Sequence, residues 1–196
     1  MQNEIKAMIH ESIKTKELVQ DLAPQIEKAA NLIIAALKNH KKILMAGNGG
    51  SASQAAHIAA EFVGRYKIER KSLPAIALTT DMSIITALSN DYSYEIVFER
   101  QLEALANAGD VFIALSTSGN SKNLIKAVET AKKLKVHAIG LLGNNGGKMK
   151  NTSDVEIIVS SDNTPRIQEA HLMILHIICE LIENKLFKHQ NSTYVL

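Results

Sequence analysis

The stretch from Lys42 to Arg65, KILMAGNGGSASQAAHIAAEFVGR, constrains the fold more than any other part of the chain. Ile43 to Ala46 is an apolar run too short to form a helix before the glycines, and it reads as a buried strand. Gly47-Asn48-Gly49-Gly50 supplies residues that tolerate positive φ and let the backbone approach a ligand closely. Ser51 and Ser53 are candidate caps for an alanine-rich helix over Ala52 to Phe62. Strand, glycine turn and helix N-terminus in succession leave unpaired N–H groups and the positive end of the helix dipole facing an anion, which makes the segment a candidate phosphate cradle. His57 and Glu61, four apart, share one face of that helix and are a candidate base and metal-ligand pair.

The same arrangement recurs. Val111 to Leu115 is a strand that runs into Ser116-Thr117-Ser118-Gly119-Asn120-Ser121, and a helix is expected over Lys122 to Leu134. Further strands are expected at Pro74–Leu78, Val136–Leu142 and Val155–Val159. Between them, a helix over Ser83–Leu88 capped by Thr80 or Asp81 ends in the turn formers Ser89-Asn90-Asp91-Tyr92, and an amphipathic helix spans Tyr94–Asn107. Two helices, Asn3 to about Gln20 and Ala23–Asn39, precede the first strand. A long one runs from Thr164, an expected N-cap with Pro165 behind it, to about Lys188. Gly64 to Leu73, with Arg65, Lys67, Arg70 and Lys71, reads as a basic surface connection. Strands alternating with helices predict an α/β fold: a three-layer, doubly wound, five-stranded parallel sheet with two extra N-terminal helices and a long C-terminal helix. Ligands of such sheets bind beyond the carboxyl ends of the strands, where both polar turns lie.

Other nucleotide and phosphate motifs fit less well. Gly47, Gly49 and Ala52 match G-x-G-x-x-A, yet Asp81 comes late for a ribose-binding acid, and no lysine follows the glycines at P-loop spacing. The hydroxyls of the second turn suit a phosphate monoester, which favours a phosphosugar. On the last helix Gln168 and His176 are eight apart, about 80° round the axis, so both can point into one cleft. His171 and Glu169 are rivals that spacing does not eliminate, whereas His10, His40, His137 and His189 carry no assignment. The 22 basic and 20 acidic residues are interspersed, which argues against nucleic-acid binding. The single Cys179, in an apolar run, reads as a small buried hydrophobe in a reducing compartment. No run has signal-peptide or membrane-spanning character, so the expectation is a cytoplasmic protein without membrane partners.

Taken together, Gly47-Asn48-Gly49-Gly50-Ser51 with His57 and Glu61, the turn Ser116 to Ser121, and Arg166-Ile167-Gln168-Glu169 with His176 resemble the sugar isomerase (SIS) domain family. More closely they resemble its phosphoheptose (sedoheptulose 7-phosphate) isomerase branch. The resemblance implies a flavodoxin-like SIS fold over residues 1–196 as one domain, assembled as a homotetramer, with residues 1–40 in the interface. It implies that Ser116, Thr117, Ser118 and Ser121 hold the phosphate and that Asn48, Gly49, Gly50, Ser51, Asn90, Asp91 and Gln168 line the sugar. It also implies one zinc ion per subunit on His57, Glu61, Gln168 and His176, with Glu61 and His176 as the acid/base pair. The activity implied is ketose–aldose isomerisation of sedoheptulose 7-phosphate through an enediolate, early in heptose supply for lipopolysaccharide or related glycans. Where many relatives have an aspartate three residues before the site histidine, this chain has Gln54, which withdraws a charge beside His57. The family also contains phosphosugar-sensing regulators, and a relative that binds the bacterial replication initiator. Retention of all four polar positions favours the enzyme, with pentose or hexose phosphates as alternative substrates.

Overall fold

The computed structural model describes residues 1–187; Lys188, the expected end of the last helix, and His189 lie outside them. The elements in chain order are α1 (Gln2–Glu17), α2 (Ala23–Lys38), β1 (Ile43–Gly47), α3 (Gly50–Val63), β2 (Ala75–Ala77), α4 (Met82–Asp91), α5 (Val97–Leu105), β3 (Val111–Ser116), α6 (Lys122–Lys133), β4 (His137–Gly143), β5 (Val155–Val159) and α7 (Thr164–Phe187). Among the described residues the five strands form one sheet in the order β2-β1-β3-β4-β5, every pair parallel. The order reverses between β1 and β3, which is where a doubly wound sheet opens a crevice at its carboxyl edge. Gly47 pairs with Leu115, so the two polar turns leave adjacent strands at the same level.

The strands are apolar on both faces because both are covered. Ile43, Met45, Val111, Ile113 and Leu115 pack against α2, α3 and α7, while Leu44, Ala46, Phe112 and Ala114 pack against α5 and α6. Each fully buried Phe or Leu of these layers contributes about 2–3 kcal/mol relative to exposure. The expected three-layer architecture is therefore observed.

Local details differ from expectation. Pro24 does sit in the first turn of α2 as its fixed φ favours, but the break before it is a 3₁₀ turn over Leu18–Leu22. Ser51 and Ser53 cap nothing. Gly49 takes the N-cap position of α3 with φ +56°, and the helix starts at Gly50. Asp81 does cap α4, accepting from the Ile84 N–H, but that helix runs on through Asn90 and Asp91 instead of breaking at Ser89. The amphipathic helix begins as a 3₁₀ turn at Tyr94–Ile96, and α7 includes Thr164 as a helical residue. Arg70 is buried, not part of a solvated basic face. On α1, Ile5, Ile9 and Ile13 are half-exposed.

Candidate active site

The first turn is shaped by close approach. A Cβ on Gly47 would lie 2.7 Å from Ser51 backbone atoms, and one on Gly50 would lie 2.7 Å from the Gln168 amide nitrogen. Gln168 thus leans over the N-terminus of α3, and the neighbouring Gln54 amide donates to the Gln168 carbonyl at 2.7 Å. Gln54 thus ties α3 to α7. Ser51 is buried against β1.

Asn48 reaches across the crevice. Its carboxamide exchanges hydrogen bonds with Asn123 on α6, at 3.1 and 2.9 Å, and its oxygen accepts from the Tyr94 hydroxyl at 2.8 Å. Asn123 and Tyr94 had no signal in the sequence beyond their types, since their role depends on which turn lies opposite. Asn90 and Asp91 bond to each other at the exposed end of α4, a few residues before Tyr94.

The second turn is built by its own hydroxyls. Ser116 Oγ accepts from Gly119 N–H at 3.0 Å, Ser118 Oγ accepts from Asn120 N–H at 3.2 Å, and Ser116 Oγ lies 3.4 Å from Ser121 Oγ. Hydroxyls that accept from the loop keep their protons for donation outward. Gly119 has φ +63°, and a Cβ there would collide with the Gly146 carbonyl of the turn after β4. The Thr117 carbonyl accepts from the Asn144 amide at 3.0 Å. Ser118 is exposed, Thr117 and Ser121 partly so, and Ser116 buried. No side-chain cap covers the N-terminus of α6 beside them.

Further along α3 the structure brings three of the expected residues together. His57 Nε2 lies 3.0 Å from His176 Nε2 and 3.4 Å from a Glu61 carboxylate oxygen. One ligand atom from each of the three lies within 4.8 Å of the others, a group able to hold a metal ion. An exposed His–Glu pair of this kind is worth only a few tenths of a kcal/mol to the fold, so stability does not explain the convergence. Gln168 stands two turns before His176 on α7, a rise of about 12 Å, with its amide at Gly50. Burial first, then the neighbouring His57 charge, holds the His176 imidazole below its ordinary value, with Glu61 pulling the other way.

The rivals on α7 are separated by packing. His171 is fully buried and its Nε2 faces the Leu142 carbonyl at 3.0 Å. Glu169 faces away, accepting from Ser12 of α1 and from Arg166. Cys179 is a buried free thiol, its pKa pushed up to about 12 by burial and then by Glu61 and Glu183. Below the site the Glu183 carboxylate accepts from the backbone N–H groups of Tyr66, Lys67 and Ile68 and from Arg70, while the Tyr66 ring stacks on His176 at 5.5 Å. Nothing in the sequence singles out Tyr66, because its segment reads as a polar connection.

Residues 9–143 match the SIS domain family model. A protein of Geotalea daltonii called phosphoheptose isomerase is 53% identical over 95% of this chain and 98% of its own length. A solved phosphoheptose isomerase of Neisseria gonorrhoeae superposes with a TM-score of 0.88 at 43% identity, covering 93% of this chain and 98% of its own. Another, from Francisella tularensis, gives 0.90 at 37% identity with the same coverage. With the fold, both polar turns and the His57–Glu61–His176 cluster in place, these similarities show that the chain belongs to the SIS domain family, in its phosphoheptose isomerase branch.

Proposed function

We infer that the protein is a phosphoheptose isomerase, interconverting sedoheptulose 7-phosphate and D-glycero-D-manno-heptose 7-phosphate. The observation that carries this is the meeting of Glu61 with the imidazoles of His57 and His176 beside two anion-binding turns, in a chain about half identical over its length to proteins of that name. The phosphate is gripped by Ser116, Thr117, Ser118 and Ser121 and by the N-terminus of α6. The sugar extends past Asn48, Gly49, Gly50, Ser51, Gln168, Asn90 and Asp91 toward Glu61. Isomerisation removes the proton from C1 and returns it at C2, the carbonyl passing from C2 to C1 through an enediolate. Glu61 and His176 exchange that proton with the substrate.

Two imidazole nitrogens and a carboxylate oxygen suit zinc. Zinc–nitrogen bonds of about 2.05 Å in a tetrahedron separate ligand atoms by about 3.3 Å, close to the 3.0 and 3.4 Å separations of the cluster. His57, Glu61 and His176 would hold the ion; the Gln168 amide, which sits at Gly50 here, would have to swing toward them to serve as the fourth ligand. When bound it would supply Lewis-acid stabilisation of negative charge on the substrate oxygens. The half-exposed apolar stripe of α1 supports a homo-oligomer, a tetramer in our reading, with each chain a single SIS domain. Placement in the cytoplasm and in surface-glycan heptose supply accords with this activity, and no helix among the described residues is long and apolar enough to cross a membrane.

Incubation of zinc-supplied protein with sedoheptulose 7-phosphate, followed by NMR, should show the aldose phosphate forming. Absence of turnover there would favour a phosphosugar-sensing regulator, and faster turnover of a pentose or hexose phosphate would reassign the substrate.

A further inference from the structure

We propose that Tyr66 is a positioning residue for His176, held in place by the buried Arg70–Glu183 pair. The work of His176 belongs to the isomerase reading above; the placement of its ring does not. An imidazole turns broadly about its second side-chain torsion, and histidines at metal or proton-transfer sites are normally fixed by a hydrogen bond to the ring nitrogen that faces away from the site. Among the described residues the only hydrogen-bond partner of the His176 side chain is His57, on the site side, through Nε2. In its other contacts the imidazole meets the His57 ring edge-on at 5.3 Å and is stacked by the Tyr66 ring at 5.5 Å between centroids and 24° between planes.

Tyr66 lies on a segment without regular structure, so something must hold it. Glu183, seven residues and about two turns beyond His176, shares its face of α7. Its carboxylate accepts from the N–H groups of Tyr66 at 2.9 Å, Lys67 at 2.9 Å and Ile68 at 3.2 Å. Arg70 Nε completes the set at 3.1 Å, with both side chains of the pair almost wholly buried. The Arg70 guanidinium also donates to the carbonyls of Glu61, Phe62, Gly64 and Lys71. One buried ion pair therefore fixes the segment to the end of α3, which carries Glu61, and to α7, which carries His176. Neither buried charge can leave without exposing the other unpaired, so the clamp is rigid.

Tyr66→Ala and Tyr66→Phe test the proposal, since Tyr66 is only partly buried and the clamp bonds to its backbone. In Tyr66→Ala, kcat should fall tenfold or more with KM within twofold, and zinc affinity by chelator competition should fall about tenfold. Tyr66→Phe, which keeps the ring, should restore both to within twofold of wild type. In metal-free protein the His176 ring carbon-bound proton signals should move and broaden in Tyr66→Ala and stay in place in Tyr66→Phe. Unchanged His176 signals in Tyr66→Ala would overturn the proposal, as would Tyr66→Phe being as impaired as Tyr66→Ala, since the hydroxyl would then be acting. A wild-type protein without turnover would count against the isomerase reading alone, because the metal-free signals need no turnover.

Discussion

His171 gives the sharpest test of the packing around α7. Its imidazole has no exposed surface, its Nε2 donates to the Leu142 carbonyl, and among the described residues its Nδ1 has no partner. Burial lowers its pKa from 6.5 to about 4, only partly offset by the Leu142 hydrogen bond. Above pH 6.5 folded and unfolded chains both carry the neutral ring, and its contribution to stability is fully present. As pH falls from 6.5 toward 4 the unfolded chain takes up a proton that the fold refuses, and stability declines until the folded ring also titrates. The gap of about 2.5 pH units, at about 1.4 kcal/mol each, sets a total of about 3 kcal/mol, of which about 2 kcal/mol is gone by pH 5. That is a large part of a typical 5–15 kcal/mol stability. Urea unfolding at fixed protein concentration, at pH 7.5 and 5.0, measures it. In His171→Gln, whose amide still reaches the carbonyl but does not titrate, the loss between the two pH values should be about 2 kcal/mol smaller than in wild type. An equal pH dependence in the two proteins would refute the assignment.

Other outcomes follow from the site. Glu61→Gln should lower turnover by about 10²–10⁴-fold with the fold intact by circular dichroism, and normal activity would remove Glu61 from the mechanism. Ser118→Ala should raise KM several-fold at nearly constant kcat, matching a lost hydrogen bond of about 1 kcal/mol, and an unchanged KM would displace the serine turn from the phosphate. Gly119→Ala adds about 1–2 kcal/mol of left-handed backbone strain to a collision with Gly146, so phosphate competition measured by calorimetry should disappear. Chelation should abolish turnover and added zinc restore it; activity that survives complete removal would make the ion structural.

Much of the fold was legible because it rests on short segments. Apolar runs of about five residues ending in Gly47-Asn48-Gly49 or Ser116-Thr117-Ser118 can be little other than strands entering polar turns. Helix ends were less legible. Ser51 and Ser53 have the chemistry of caps, yet α3 begins at Gly50, before either of them, with Gly49 at the N-cap position and no side chain capping it. Asn90 and Asp91 are turn formers by type, but α4 continues through them.

What the sequence by itself determined was the set of groups: two glycine- or serine-bearing turns, a His–Glu pair four apart on one helix, and several polar candidates on another. What tertiary structure alone decided was which of them meet. His171 and His176 are both ordinary helix histidines by spacing, and only the packing of α7 against α3 turns one into the core and the other toward Glu61. Arg70 reads as a solvated base until Glu183, 113 residues later, arrives beside it. Turn and helix preferences are local properties of a few consecutive residues, whereas burial and encounter depend on contacts between segments far apart in the chain, which no local pattern encodes.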